Sequence, residues 1–555
     1  MSLLLSLRVR QLALLPLGLL LCASPRPLAA QEVIAEEEFS EEIEVSLVNL
    51  EVVVTDRQGK PLPGLSKEDF EVFEDGKPVE ITNFYAETGE TAPGGSGLPE
   101  ARPLDQRLNL VVFVDDYNME PGNRNQILDG AGEFLRSSLA PGDQVMIVRF
   151  GRSLEVRKPF TTDLTEISAE LDLMRRLASD LAARESSRDH QMQVVADALS
   201  IGGWGPTAEA RVREYAEVET SYLAASLSAL ETAVGWLAGL PGRKAILYVS
   251  DGLPAVPGED LFIWAEANSG FRSGRRISSM NAGSYDASEL FRRVTSRASR
   301  NRVSIYPIES MGARWVRGTT LQENRIQNRQ NGLRFLAEET GGRTMLNVSQ
   351  SAAALKTMGG DLSTYYSVGY RPQRPADDRD HKVEVKVKRK GALARYRRWY
   401  QDKPVAEAVA ERTAATMVFG VEENPLGASL EIGQQTAVSS ENSSFVVPLR
   451  VKIPLSKLYL EPKGDKREAR LRLFVVASGE GKVTPVRETK LVRLDVSEKD
   501  LAGGKAPEYV YEVRITLPQG SYQIGVGVRD EIATTTSYLQ GKLEAGAQTA
   551  NPASR

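Results

Sequence analysis

The sequence predicts an α/β fold: a Rossmann-like parallel sheet, preceded by a small β module and followed by a β-sandwich. Three observations predict it. From Leu110 to about Asn347, apolar strand segments alternate with segments of helical periodicity, which builds a parallel sheet covered on both faces. Two of these strands, "NLVVFVDD" and "AILYVSDG", run out onto acids, Asp115 and Asp251, at the carboxyl edge where such sheets hold ligands. Outside this region the chain reads as strands and turns.

Taken in order, Arg8 and Arg10, the apolar run Leu12–Leu21 and the small residues ending at Ala30 form the three-part pattern of a secretory signal, residues 1–30. Bulky Leu21 before Cys22 argues against lipoprotein processing. The acidic, aperiodic residues 31–44 read as a leader. Residues 45–88 alternate apolar and polar around an Asp75–Gly76 hairpin signal and make a small β module. Gly and Pro dominate the linker, 89–104. Within the α/β region, 105–403, Ile127, Ala131, Phe134 and Leu135 recur at helical spacing. "SLEVRKPF" reads as an edge strand, and "TTDLTEISAELDLM" opens a helix with Thr and Asp as caps. A long helix covers 207–239, "VSIYPIE" is a fifth strand, and a helix ending at Gly341–Gly342 precedes a sixth. "YYSVGYRP" and "HKVEVKVKRKG" are trailing strands that close the region. Residues 404–546 have the strand spacing of a sandwich, and 547–555 are a small polar, disordered tail.

Composition removes much chemistry. The net charge of −5 gives nucleic acid no electrostatic footing. Cleavage after Ala30 would remove Cys22, the single cysteine, and with it any disulfide or thiolate metal site. No later segment offers the roughly 18 apolar residues of a spanning helix. The mature chain is therefore expected to be exported to the periplasm, the cell surface or the medium, with envelope association left open. His190 and His381 stand in no Cys/His cluster and beside no Gly-x-Ser-x-Gly elbow. The expectation is a protein that is not an enzyme.

"LVVFVDDYNM", "GRKAILYVSDG", "VSIYPIE" and "LAEETGGRTML", in this order, resemble the first, fourth, fifth and sixth strand regions of a von Willebrand factor type A domain. With "VVVTDRQGKPLPGLSKEDFEVFEDGKPVEI" before and "YYSVGYRP…HKVEVKVKRKGALARYRRWY" after, residues 45–400 look like the exported bacterial VWFA-related domain proteins. The resemblance implies a divalent cation, Mg²⁺ or Ca²⁺, held through Asp-x-Ser-x-Ser, a loop Thr and a final Asp, with an open position for a partner's carboxylate. Carried over, Asp115 matches the first Asp, Asp251 the last, and Thr220 the loop Thr. Tyr117 and Met119 stand where the serines belong, so the site is degenerate. Two readings follow. Asp116 or Asn118 substitutes for the missing hydroxyls, or Asp115 and Asp251 only cap strand ends.

The function expected is adhesion or scaffolding. A protein partner would be recognised by the loops after Asp115, around Thr220 and after Asp251, through Tyr117, Asn118, Met119, Arg272, Arg275 and Arg276. One alternative is a cation-dependent envelope sensor or assembly factor. Another is binding of an anionic envelope polymer by the basic strand 382–398, with Lys386, Lys388, Arg397 and Arg398.

Overall fold

Alternating apolar residues set the first strand, β1 (Val48–Thr55), whose Leu50, Val52 and Val54 are fully buried. The computed structural model describes residues 48–88, 102–178, 181–268, 283–310, 320–374, 377, 379–420, 423–439, 444–464, 466–479, 482–497 and 508–546. The expected signal peptide, acidic leader and tail, most of the linker, and Arg272, Arg275 and Arg276 lie outside the described residues. Next come β2 (Phe70–Glu74), β3 (Lys77–Val79) and β4 (Ile81–Thr88). Asp75 and Gly76 both take positive φ between β2 and β3, as a tight Asp-Gly hairpin turn requires.

The α/β region follows as β5 (Leu108–Asp115), α1 (Pro121–Ser138), β6 (Gln144–Phe150), β7 (Leu154–Thr161), α2 (Leu164–Met174), α3 (Leu181–Gly202) and α4 (Pro206–Leu237). It continues with β8 (Arg243–Val249), α5 (Glu259–Asn268), α6 (Ser288–Arg300), β9 (Val303–Ile308), α7 (Thr320–Thr340) and α8 (Ser351–Ser363). The sheet order is β7-β6-β5-β8-β9, and only the edge pair β6–β7 is antiparallel. Asp163 caps α2 by accepting from the N–H groups of Thr165 and Glu166. One face of the sheet packs Val112 and Val114 against α1, α2 and α8 through Ile127, Phe134, Ile167 and Leu355. The other packs Phe113 and Tyr248 against α4, α6 and α7 through Leu227, Val234, Phe291 and Leu333. The sixth strand expected after Gly341–Gly342 is reduced to one parallel bridge, Ile308 to Met345. Asn347, at φ 53°, turns the chain out of the extended conformation before a ladder can run.

The strands expected to trail the α/β domain belong elsewhere. They are β10 (Thr364–Tyr370), β11 (Asp380–Val387), β12 (Leu393–Arg395) and β13 (Trp399–Gln401). They complete the N-terminal module as two four-stranded sheets, β12-β1-β10-β4 and β13-β11-β2-β3. Leu50, Val52, Phe70, Tyr366, Val368 and Val383 form its core. The expected boundary at 403 is thereby corrected: the α/β domain is inserted into a small sandwich. Physically, four short strands bury too little apolar surface alone, and the missing half comes from beyond the insertion.

Residues expected to open the C-terminal sandwich instead form α9 (Val405–Phe419), whose Phe419 meets Phe160 of β7 edge-on. The sandwich itself has β14 (Ser429–Ile432), β15 (Thr436–Ser439) and β16 (Ser444–Pro454), with β20 (Glu508–Pro518) on the other side of β16. Its second sheet holds β17 (Glu461–Lys463), β18 (Lys466–Gly479), β19 (Lys482–Ser497), β21 (Gly520–Asp530) and β22 (Thr535–Ala545). No described helix is long and apolar enough to cross a membrane.

Candidate functional site at the carboxyl edge of the sheet

β5 and β8 run parallel and side by side, so Asp115 and Asp251 arrive at one edge, both buried. A 3₁₀ turn, Asp116–Asn118, and Pro121 at the start of α1 fold the chain back at once. That places Asn123, in the first turn of α1, against Asp251. Asp115 Oδ2 accepts from Asn118 Nδ2 at 2.8 Å, from Ser250 Oγ at 3.3 Å and from the Tyr248 hydroxyl. Asp251 Oδ2 accepts from the Glu120 N–H at 2.8 Å and from Asn123 Nδ2 at 2.9 Å. The other oxygen of each carboxylate, Oδ1, has no hydrogen-bond partner, and neither has Oδ1 of Asn123.

Two guanidinium groups close the edge. Arg329 of α7 donates to the carbonyls of Asp251 at 3.2 Å, Gly252 at 2.9 Å and Asn118 at 3.3 Å, stapling the two loops together. Arg184 of α3 donates to the Tyr117 carbonyl at 2.8 Å and to Asn118 Oδ1. Its guanidinium lies 4.7 Å from the Tyr117 ring centroid and 4.4 Å from that of Tyr222. Burial pushes the Asp251 carboxyl up to about 7, against the pull of the Glu120 N–H, Asn123 and Arg329. Burial also raises Asp115, opposed by Tyr248, Asn118, Arg184 and Arg329. It lowers Arg329.

Several expected site residues are corrected. Asp116 is committed to Arg124, at 2.9 and 3.0 Å, and to Arg149 at 2.6 Å, all inside the protein. Asn118 spends its amide nitrogen on Asp115 and Ser226 and its oxygen on Arg184. Neither replaces a motif hydroxyl. Thr220 lies within α4, not in a loop, and its hydroxyl donates to the Ala216 carbonyl at 2.7 Å. Met119 is in the core and Asn118 is buried, because the 3₁₀ turn aims these side chains inward. Tyr117 is half-buried, wedged edge-on against Phe150 and Tyr222. Sequence reasoning missed Asn123, Tyr248, Arg184 and Arg329. A polar residue in the first turn after an acid-ended strand was a usable signal for Asn123. Arg184 and Arg329 come from distant helices, and nothing local marks them.

A hard divalent cation needs oxygen ligands. The motif hydroxyls, Asp116 and Thr220 contribute none, yet three buried acceptor oxygens, on Asp115, Asp251 and Asn123, meet no donor. Buried acceptors are rarely left bare, so these residues fit such an ion.

A second acidic group lies in the small sandwich, where Glu74, Asp75, Asp377 and Asp402 gather round His381. Both imidazole nitrogens already meet carboxylates, Asp75 and Asp377, at 2.8 Å. Arg374 pairs with Glu74, Asp377 and Asp402 and donates to Tyr400. The group is balanced as a clasp between the β2–β3 turn and the start of β11. Burial pulls the His381 pKa down, but the bonds to Asp75 and Asp377 outweigh it and the net shift is upward. Both carboxylates are lowered, chiefly by His381 itself. The raised imidazole contributes stability that is complete below about pH 6.5 and is lost as pH rises through its folded pKa. The lowered carboxylates contribute stability above about pH 3.9 that is lost as pH falls through theirs. His381→Gln should therefore depress the thermal midpoint more at pH 5 than at pH 9; an equal depression at both would show that the clasp is not ionic.

The basic face expected on 382–398 is broken up. Lys386 pairs with Glu384 over the Phe73 ring and Lys388 pairs with Glu71. Arg397 turns inward to the Asn49 and Ser299 carbonyls, leaving Arg398 exposed.

No family model matches the chain and no curated protein matches it. Among solved structures it is similar to the conserved hypothetical protein BatB from Bacteroides thetaiotaomicron, at 12% identity, covering 46% of this chain and 97% of that one, with a TM-score of 0.25. It is similar to an aerotolerance-related membrane protein from Bacteroides fragilis, at 12% identity over 46% and 98% of the two chains, TM-score 0.23. It is also similar to the manganese-loaded Plasmodium vivax TRAP protein, at 11% identity over 54% and 97%, TM-score 0.23. The site's own geometry carries the functional reading.

Proposed function

We propose that this chain is an exported, non-enzymatic recognition protein of the adhesion or scaffolding kind, which takes a protein partner at the carboxyl edge of the β5–β9 sheet. The export rests on the signal-like start. The recognition rests on one observation: the edge already binds an arginine presented by a helix. Tyr117 and Tyr222 flank the Arg184 guanidinium while the Tyr117 carbonyl and Asn118 Oδ1 accept its protons. Two aromatic faces and two acceptors around one guanidinium make a specific receptor for that group.

α3 acts as an internal occupant of this receptor. Beyond Arg184 it is tied down by ion pairs, Glu185 to Arg325 at 2.6 Å and Arg188 to Asp260 at 2.8 Å. A partner presenting an arginine on a helix or loop would meet the same acceptors once α3 moves aside. His190 is exposed on α3 and His381 is held in its clasp, so neither addresses this edge.

Site-specific photo-crosslinking tests this. An aromatic photoreactive residue replaces Tyr222, which meets Arg184 from α4, in the Arg184 and Arg184→Ala chains. Position 510, exposed on β20, carries the same residue as a control. The expected result is a discrete protein adduct from position 222, stronger in Arg184→Ala, and none from 510. No adduct at 222, or the same adducts from both positions, would reject recognition at this edge.

A further inference from the structure

We infer that Asn123 supplies the third protein oxygen of a divalent-cation site, joining Asp115 and Asp251 in place of the hydroxyls absent at Tyr117 and Met119. This goes beyond partner recognition, and either can fail without the other.

The first support is the division of labour within each carboxylate. Oδ2 of Asp115 is saturated by three donors and Oδ2 of Asp251 by two, while both Oδ1 atoms are bare. Donors fastened to one oxygen fix the group in place and leave the other free, which is how outer hydrogen bonds orient ligating carboxylates. The second support is the amide of Asn123, 1% exposed and without a partner on Oδ1. Its orientation is not a free choice. The atom facing Asp251 Oδ2 must be the donor nitrogen, because an oxygen there would repel the carboxylate, so the bare atom is necessarily the oxygen.

Two carboxylate oxygens and an amide oxygen are hard donors, suited to Mg²⁺, Mn²⁺ or Ca²⁺ with water completing the shell. Their two negative charges match the ion's two positive ones. Arg184 and Arg329, bonded to carbonyl and amide oxygens rather than to these carboxylates, leave the three oxygens open.

The test is Mn²⁺ titration of the chain lacking residues 1–30, reading free Mn²⁺ by electron paramagnetic resonance, with Mg²⁺ and Ca²⁺ as competitors. One bound Mn²⁺ per wild-type chain is expected. Asn123→Ala should weaken it by about tenfold or more, the scale of loss at metal-site positions. Asn123→Asp keeps the ligating oxygen but loses the donor that faces Asp251, so it should still bind one Mn²⁺, more tightly than Asn123→Ala, and its retained binding decides should Asn123→Ala not fold. His381→Ala should leave binding unchanged. No binding by the wild-type chain, wild-type affinity in Asn123→Ala, loss of binding in Asn123→Asp, or loss of binding in His381→Ala would overturn the assignment.

Discussion

Asp116→Ala is expected to destabilise the protein by about 3–5 kcal/mol, the scale for removing one partner of a buried ion pair. Asp116 is fully buried and binds Arg124 through both its oxygens, with Arg149 as a second cation. Arg124 is itself fully buried; its other terminal nitrogen donates to the Arg175 and Leu177 carbonyls, tying α1 to the end of α2. Without the carboxylate, a guanidinium remains inside the protein with no counter-charge. The double variant Asp116→Ala/Arg124→Met should recover most of the loss, since a flexible apolar chain of similar length refills the space. Urea unfolding followed by circular dichroism reads both. A single-variant cost below about 1 kcal/mol, the range of exposed pairs, would mean that Asp116 is not the counter-ion of Arg124.

Asp116 also shows where the sequence was readable and where it was not. The α/β alternation, the acids at the ends of β5 and β8, and the edge position of β7 follow from local periodicity, and the structure has them. Adjacency to Asp115 makes Asp116 a ligand candidate in the sequence. Successive residues on a strand end face opposite ways, however, and the 3₁₀ turn sends Asp116 toward Arg149 of β6, whose distance in sequence hides the pairing. Thr220 fails because the helix read over 207–239 is there as α4 and runs through the position that the resemblance assigns to a loop. The split sandwich was invisible because β1 and β10 are separated by the whole α/β domain, and strand pairing leaves no trace in local composition. Asn123 and Tyr248 lay within reach, since Tyr248 alternates in phase on β8 and Asn123 opens α1. Burial on both faces of the sheet masked Tyr248, since every residue of β8 is buried.

Asp361→Ala is expected to cost about 3 kcal/mol, at the lower end for a buried pair, because its partners are partly hydrated. Asp361, on α8, is fully buried; Arg343 grips it through two bonds at 2.9 and 3.0 Å. Arg395 of β12 adds an ion pair at 2.7 Å, and the two arginine side chains are 20% and 23% exposed. Arg343 also donates to the Gly59 carbonyl in the turn after β1. One carboxylate thus joins the inserted α/β domain to both halves of the split sandwich. Arg243 of β8, paired with Glu51 at 3.0 Å, makes a second tie, to β1 itself. The loss should therefore appear first at the joint. Hydrogen exchange in β12 and in the 56–61 turn should speed up more than exchange in β5 or β8, which lie in the core of the sheet. Uniform acceleration would instead mean that domain and sandwich unfold as one unit and that Asp361 is ordinary core. Loss of the Asp361 carboxylate would thus loosen the joint between the inserted domain and the sandwich from both halves at once.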